Sequence, residues 1–156
     1  MSSSTSADSV AAAIQAWLEQ YPDARSKASY TSPSEVLDLL EKSPETTTVL
    51  DLRNDRTPSY LQHSIHIPAT GIAGYDALGS TVIDQIKKEN PDLKNIVVHC
   101  NSSKKRAAKV AGWIQDYIEE NDVKDYNVTI LEGGIAGWVQ LDEPYQKLLI
   151  KSDEKN

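Results

Sequence analysis

The sequence predicts an α/β domain with a mainly parallel sheet covered by helices on both faces. Three observations lead there. Runs rich in β-forming residues alternate with helical periodicities, an order that favours parallel strands joined by crossovers. One run, Ile96-Val97-Val98, is apolar without alternation, as in a strand buried on both faces. The chain has 156 residues, 39% hydrophobic and 25% charged, the size and balance of one globular domain.

The elements follow in order. Residues 1–8 are mostly Ser, with Thr, Ala and Asp8, and read as a disordered leader. From Ser9 a helical pattern puts Val10, Ile14, Trp17, Leu18 and Tyr21 on one face, and Pro22 follows its end. Residues 9–28 are therefore expected as an N-terminal helix, packed on the main domain, with a linker over 23–28. The main domain spans 29–150. In it Ser32-Pro33-Ser34-Glu35 is a capping box with Pro at the first helical position. The helix it opens buries Val36, Leu39 and Leu40 and ends near Ser43-Pro44. Residues 46–52 read as a strand, and Ile65-His66-Ile67 as a second, short one. Residues 75–89 read as a helix with Leu78, Val82, Ile83 and Ile86 inward, stopped by Asn90-Pro91. Residues 95–99 form a strand, 106–120 a helix and 128–131 the last strand, before Gly133-Gly134. Residues 142–150 are expected as a terminal helix, and 151–156 as a charged, frayed tail.

Composition excludes several function classes. Acidic residues outnumber basic ones, 23 to 16, for a formal net charge of -7. Nucleic acid and anionic membrane are therefore not expected partners, since phosphate surfaces demand net basic charge. No apolar run approaches the roughly 20 residues needed to cross a bilayer. There is no secretory apolar region. The first Arg, Arg25, comes after Asp8 and Glu19, unlike an Arg-rich presequence. A cytoplasmic location is expected, with the nucleus also compatible. Tyr60, His63 and His66 lack metal-ligand spacing, so no metal is expected.

The single cysteine, Cys100, rules out a disulfide within the chain and a multi-cysteine zinc site. By itself it reads either as an inert buried thiol or as a nucleophile. Its surroundings favour the nucleophile. In a parallel sheet ligands bind beyond the carboxyl ends of the strands. That places a site after Leu52, after His99 and after Leu131. Cys100 stands there, ending the most buried strand, with a helix beginning at Arg106. The loop reads His99-Cys100-Asn101-Ser102-Ser103-Lys104-Lys105-Arg106. A strand-to-helix loop of this kind turns successive amides toward one point and makes an anion nest. The helix dipole adds positive potential, and Arg106 offers two parallel hydrogen bonds to a tetrahedral oxyanion. The same setting favours the thiolate, the form that acts as nucleophile. Ser102 and Ser103 offer hydroxyls to the anion or a leaving group, and His99 orients the loop. Lys104 and Lys105 either steer an anion or face water. Lys109 reads as an ordinary solvated lysine.

These residues resemble a rhodanese-homology domain over roughly residues 30–140. The resemblance rests on the loop, on the strand Val49-Leu50-Asp51-Leu52-Arg53, on Ser64-Ile65-His66-Ile67-Pro68, and on Leu131-Glu132-Gly133-Gly134-Ile135-Ala136-Gly137-Trp138. It implies a three-layer fold with about five strands. Sulfurtransferases of that superfamily carry a shorter loop. The seven-residue loop from Cys100 to Arg106 is instead similar to that of the cell-cycle dual-specificity phosphatases and the yeast-type arsenate reductases. It is most similar to the reductases, as are Lys109-Val110-Ala111 and Glu119-Glu120-Asn121-Asp122-Val123. Three departures stand out. Lys105 occupies the place of a Glu in the phosphatases, Ala107-Ala108 replaces Gly-Pro, and Ser59-Tyr60-Leu61 replaces Gly-His-Ile.

The resemblance implies an arsenate reductase in which Cys100 and Arg106 are catalytic and Asn101, Ser102, Ser103, Lys104 and Lys105 complete the anion loop. His99, Asp51 and Arg53 support it, with Arg53 pairing to Asp51 or Asp55. Gly133 and Gly134 make a tight turn beside the loop, and Trp138 packs the core. No bound cofactor is implied. The reductant is external, glutathione with glutaredoxin as a partner, and the substrate is a small oxyanion. A homodimer is compatible with the resemblance. The alternatives are a cysteine-dependent phosphatase and a non-catalytic phosphate-binding module.

Overall fold

The computed structural model describes residues 3–123 and 125–152, with side chains from residue 9 onward. Its five-stranded sheet runs in the order β1 (Ser29–Thr31), β6 (Asn127–Leu131), β5 (Asn95–His99), β2 (Thr47–Asp51) and β4 (Ser64–His66). Every neighbouring pair is parallel. All five strands therefore present their carboxyl ends along one edge, as the alternation of elements predicts. A separate antiparallel pair joins β3 (Ser59–Leu61) to β7 (Leu149–Lys151).

The three layers follow from the period of two along each strand. Leu50, Ile96, Val98, Val128 and Ile130 point to one face, where they meet α1 (Ser3–Gln20), α3 (Asp84–Glu89) and α4 (Arg106–Glu120). Val49, Val97 and Leu131 point to the other, against α2 (Pro33–Lys42) and α5 (Gly134–Trp138). Trp138 is fully buried in that second core, as expected. Helix α2 begins on the expected capping box. Ser32 accepts from the Glu35 amide at 3.2 Å, and the Glu35 carboxylate accepts from the Ser32 amide at 3.0 Å. Its buried face is Val36, Leu37 and Leu40, with Leu39 half-buried, so Leu37 takes the place expected for Leu39.

Helix α1 begins at Ser3, within the stretch expected as a leader; residues 1, 2 and 153–156 lie outside the described residues. Its C-terminal half docks. Trp17 is buried and donates to the Ile72 carbonyl at 2.8 Å, and its ring meets that of Trp113 edge-on at 5.6 Å. Val10, expected on the same face, is 41% exposed. The linker is tied to α4 rather than loose. Asp116 accepts from the amides of Arg25 and Ser26, at 2.9 and 3.0 Å.

Two expected helices differ. The one over residues 75–89 is three pieces: a 3-10 turn over Tyr75–Ala77, a π turn over Gly79–Ile83, and α3. Its inward residues are as predicted, since Leu78, Val82, Ile83 and Ile86 are all buried. Gly79 stands where the pieces join, and glycine costs about 1 kcal/mol against alanine in a helix. The terminal helix over 142–150 is absent; only a 3-10 turn, Tyr145–Leu148, forms before β7. Pairing with β3 takes the backbone of Leu149, Ile150 and Lys151 instead. Ser152 then donates from its amide to the Pro58 carbonyl and from its hydroxyl to the Arg56 carbonyl, so the expected fraying does not begin at Lys151.

Candidate active site

The carboxyl edge of the sheet collects the residues singled out by the sequence. β2 ends on Asp51 and β5 on His99, and these two are register partners. The Leu52 amide donates to the His99 carbonyl at 2.9 Å, so the ladder runs on beneath the site. Cys100 comes next and is 2% exposed, packed in the core cluster shared with α4.

The loop turns back on itself within three residues. The Cys100 amide donates to the Ser103 hydroxyl oxygen at 3.4 Å. Ser103 is fully buried in a left-handed conformation (φ +62°). Its carbonyl accepts from the Tyr30 hydroxyl at 2.9 Å. Ser103 therefore shapes the turn from inside, while Asn101, Ser102, Lys104 and Lys105 form an exposed rim.

Helix α4 has 15 residues and starts on Arg106, and no side chain caps its first turn. The first amides of any α-helix lack intrahelical partners. Arg106 is half-buried and makes no ion pair among the described residues. Arg106 thus stands at the uncapped start of α4, at the end of the loop that leaves β5 through the buried thiol of Cys100.

Helix α5 supports the loop from the other side. The Ile135 amide donates to the Cys100 carbonyl at 3.2 Å and the Ala136 amide to the Asn101 carbonyl at 2.9 Å. Gly133 and Gly134 make the turn into α5 with φ of +80° and +61°, a left-handed backbone that glycine adopts without strain. This is the expected tight turn beside the loop.

Behind the loop lies a buried charged cluster. Arg53 grips Asp51 through two side-chain hydrogen bonds, Nε to Oδ1 at 3.0 Å and a terminal nitrogen to Oδ2 at 2.7 Å. It also donates to the Ser59 carbonyl at 3.0 Å. Of the two acids expected to pair with Arg53, the partner is Asp51; Asp55 instead accepts from the amide and hydroxyl of Thr57. Burial works to raise the Asp51 carboxyl, but the hydrogen bonds and charge of Arg53 outweigh it, leaving it below the ordinary carboxylate value. His99 is fully buried and its Nδ1–H donates to the Cys100 carbonyl at 3.0 Å. Burial pushes the His99 imidazole below its ordinary value against the pull of Asp51, so the ring stays neutral at pH 7. It is hydrogen-bonded to the first peptide of the loop.

Two residues joined to this site carry no signal in the sequence. Arg56 lies 3.5 Å from Asp51, hydrogen-bonds Ser64, and stacks 3.7 Å over the Tyr60 ring. Tyr30 reaches Ser103 from the short edge strand β1. Lys109, expected to be solvated, is instead buried. Its ammonium donates to the Leu18 carbonyl at 3.1 Å and to Asp23 at 2.7 Å, fastening the end of α1 and the linker to α4. Its position one turn into the helix points it at α1 rather than at water.

Comparison with known proteins gives a consistent picture. The rhodanese-like domain family matches residues 32–141. The arsenical-resistance protein 2 of Saccharomyces cerevisiae is 25% identical over 118 residues, covering 70% of this chain and 87% of that protein. Arsenate reductase 2.1 of Oryza sativa subsp. japonica is 28% identical over 121 residues, covering 74% of this chain and 70% of that one. Among solved structures, an As-Sb reductase from Leishmania major superposes with a TM-score of 0.63 at 24% identity, covering 78% of this chain and 84% of that one. A yeast protein tyrosine phosphatase of the rhodanese family superposes at 0.59 with 17% identity, covering 78% and 91%. Among the described residues, no helix is long and apolar enough to cross a membrane.

Proposed function

The chain belongs to the rhodanese-like domain family, and on that premise we propose that it reduces arsenate to arsenite. The observation that carries this reading is a short loop that leaves β5 at the buried Cys100 and enters the uncapped start of α4 at Arg106, which makes no ion pair among the described residues. The names of the two curated relatives favour arsenate among the tetrahedral anions such a loop suits.

Arsenate sits in the loop, bound by Arg106 and the amides of residues 101–106. The Cys100 thiolate attacks arsenic and water leaves, giving a covalent cysteine–arsenate adduct. The leaving oxygen takes a proton relayed by Ser103 or by a bound water. Reduction to arsenite then takes two electrons from a pair of thiols, an outside thiol forming a disulfide with the Cys100 sulfur as the S–As bond breaks and its electron pair passes to arsenic. Cys100 has no partner in the chain, so a thiol comes from outside, and glutathione with glutaredoxin supplies it. Asp51, Arg53 and His99 hold the loop without touching the anion.

A phosphatase reading uses the same thiolate through a phosphocysteine. Lys105 counts against it, because an acidic residue there would protonate a leaving alkoxide. One experiment separates the two: wild type and Cys100→Ser are assayed on arsenate and on an aryl phosphate. The reading expects arsenite formation with glutathione and glutaredoxin, abolished in Cys100→Ser. Brisk aryl phosphate turnover with no arsenite formed overturns it.

A further inference from the structure

A groove of about 570 Å³ opens along the Lys104–Lys105 flank of the anion loop. Its floor is Ala108 and Ile130, and its far wall is Leu18, Ala24 and Ala28 from α1 and the linker. Tyr30, which holds Ser103, lines its near end. That far wall and Tyr30 lie before residue 32, outside the segment matched by the family, so the N-terminal segment builds the groove onto the common fold.

The charges in the groove divide into spoken-for and free. Asp23 is neutralised by Lys109, while Glu19 accepts only from the neutral Gln15 amide at 2.8 Å and keeps its charge, leaving the groove with one carboxylate against three lysines. Lys27, Lys104 and Lys105 line the same groove and make no ion pair among the described residues. Three free ammonium groups over an apolar floor, in a space of small-molecule size, suit a compact organic molecule bearing carboxylates. The groove shares Lys104 and Lys105 with the loop that follows Cys100, the residue that needs an outside thiol.

We infer that this groove is the docking site for a low-molecular-weight peptide thiol, held by its carboxylates on Lys27, Lys104 and Lys105, with its sulfur presented to the anion loop. The inference rests on the reductase reading for the need of a thiol, and on the groove alone for where it binds. A carboxylate–lysine contact in a partly enclosed groove fits an affinity change of about tenfold on its loss.

The test is calorimetric titration of Cys100→Ser, which cannot exchange disulfides, with glutathione as the probe and phosphate saturating the loop. One saturable site is expected. Lys27→Glu and, separately, Ala28→Leu in that background each weaken it about tenfold. Lys27 is exposed, so its variant keeps the test readable if the Ala28 variant fails to fold. An analogue of glutathione with a methyl group in place of the thiol binds equally well if the carboxylates are the anchor. Absence of saturable binding, or binding untouched by both variants, overturns the assignment. Groove-dependent binding in a chain that forms no arsenite overturns the reductase reading and leaves the site in place.

Discussion

Gly134 passes so close beneath Asn101 that a Cβ on it would lie 2.2 Å from the Asn101 carbonyl oxygen. That same Cβ would lie 2.8 Å from the Cys100 carbonyl oxygen. Both atoms are backbone and have no rotamer to give. The loop after Cys100 is therefore moulded on α5, and its shape depends on the absence of a side chain at one position.

Gly134→Ala is expected to displace the loop as well as destabilise the fold. The left-handed backbone alone costs an alanine about 1–2 kcal/mol. Gly133→Ala carries the same kind of strain without the clash, since its Cβ would come no nearer than 3.8 Å to Gly137. Phosphate titration followed by amide NMR should show the loop signals lost or weakened in Gly134→Ala and retained in Gly133→Ala. Equal anion affinity in the two variants would count against the moulding.

Breaking the Asp51–Arg53 pair should cost far more than a surface ion pair does. Both groups are buried, and removing Arg53 leaves Asp51 only the looser Arg56 at 3.5 Å, at a cost of about 3–5 kcal/mol. Arg53→Met, measured by urea unfolding, is expected to fall in that range at pH 7. It should also raise the acid midpoint. Asp51, held below 3.8 in the folded chain, stabilises it above that value, and the contribution goes as pH falls through the folded pKa.

The neutral, buried His99 makes the opposite kind of titration. Its folded pKa lies below 6.5, so the unfolded chain binds a proton first as pH falls through that value. Stability should thus decline on acidification from pH 7 towards pH 5, at up to about 1.4 kcal/mol per unit for this one proton. His99→Asn retains a donor to the Cys100 carbonyl without a titrating ring. Its unfolding midpoint should be flatter over the same window, and an unchanged slope would remove His99 as the cause.

Lys109→Met separates fastening from steering. Losing its hydrogen bonds to Leu18 and Asp23 should cost about 1–3 kcal/mol and speed amide exchange over residues 17–25. Phosphate affinity of the loop should stay within twofold of wild type, by the order-of-magnitude argument that Lys109 faces away from the anion. A large loss of affinity would mean that its charge reaches the anion after all.

Much of this architecture is legible in the sequence because its signals are local and physical. The doubly buried β5, the capping box of α2 and the strand–loop–helix around Cys100 each announce themselves within a dozen residues. The short strands β1, β3 and β7 do not; β4, equally short, shows only because Pro68 closes the apolar Ile65 and Ile67 pair. Long-range pairing decides the last segment, where β3 draws Leu149, Ile150 and Lys151 out of a helical pattern. The site divides the same way. Cys100 and Arg106 share one loop in the sequence, and Asp51 and its near neighbour Arg53 pair in the fold. Tyr30 and Arg56 join them only through the fold. Lys109 misleads because a lysine near a helix start is ordinarily wet, and only the docking of α1 makes it dry.

The edge strand β1 has a consequence for how the domain is cut and handled. It pairs with β6 from Ser29 to Thr31, and it precedes the segment that the family shares. A chain begun at residue 32 would hold every residue of the anion loop yet leave β6 as the sheet margin, its outer amides and carbonyls bare. Open margins of that kind recruit strands from other molecules. Such a truncation would also unlatch Ser103 by removing Tyr30. Self-association and a slackened loop would then arrive together, and weak activity in the shortened protein would say little about the chemistry of Cys100.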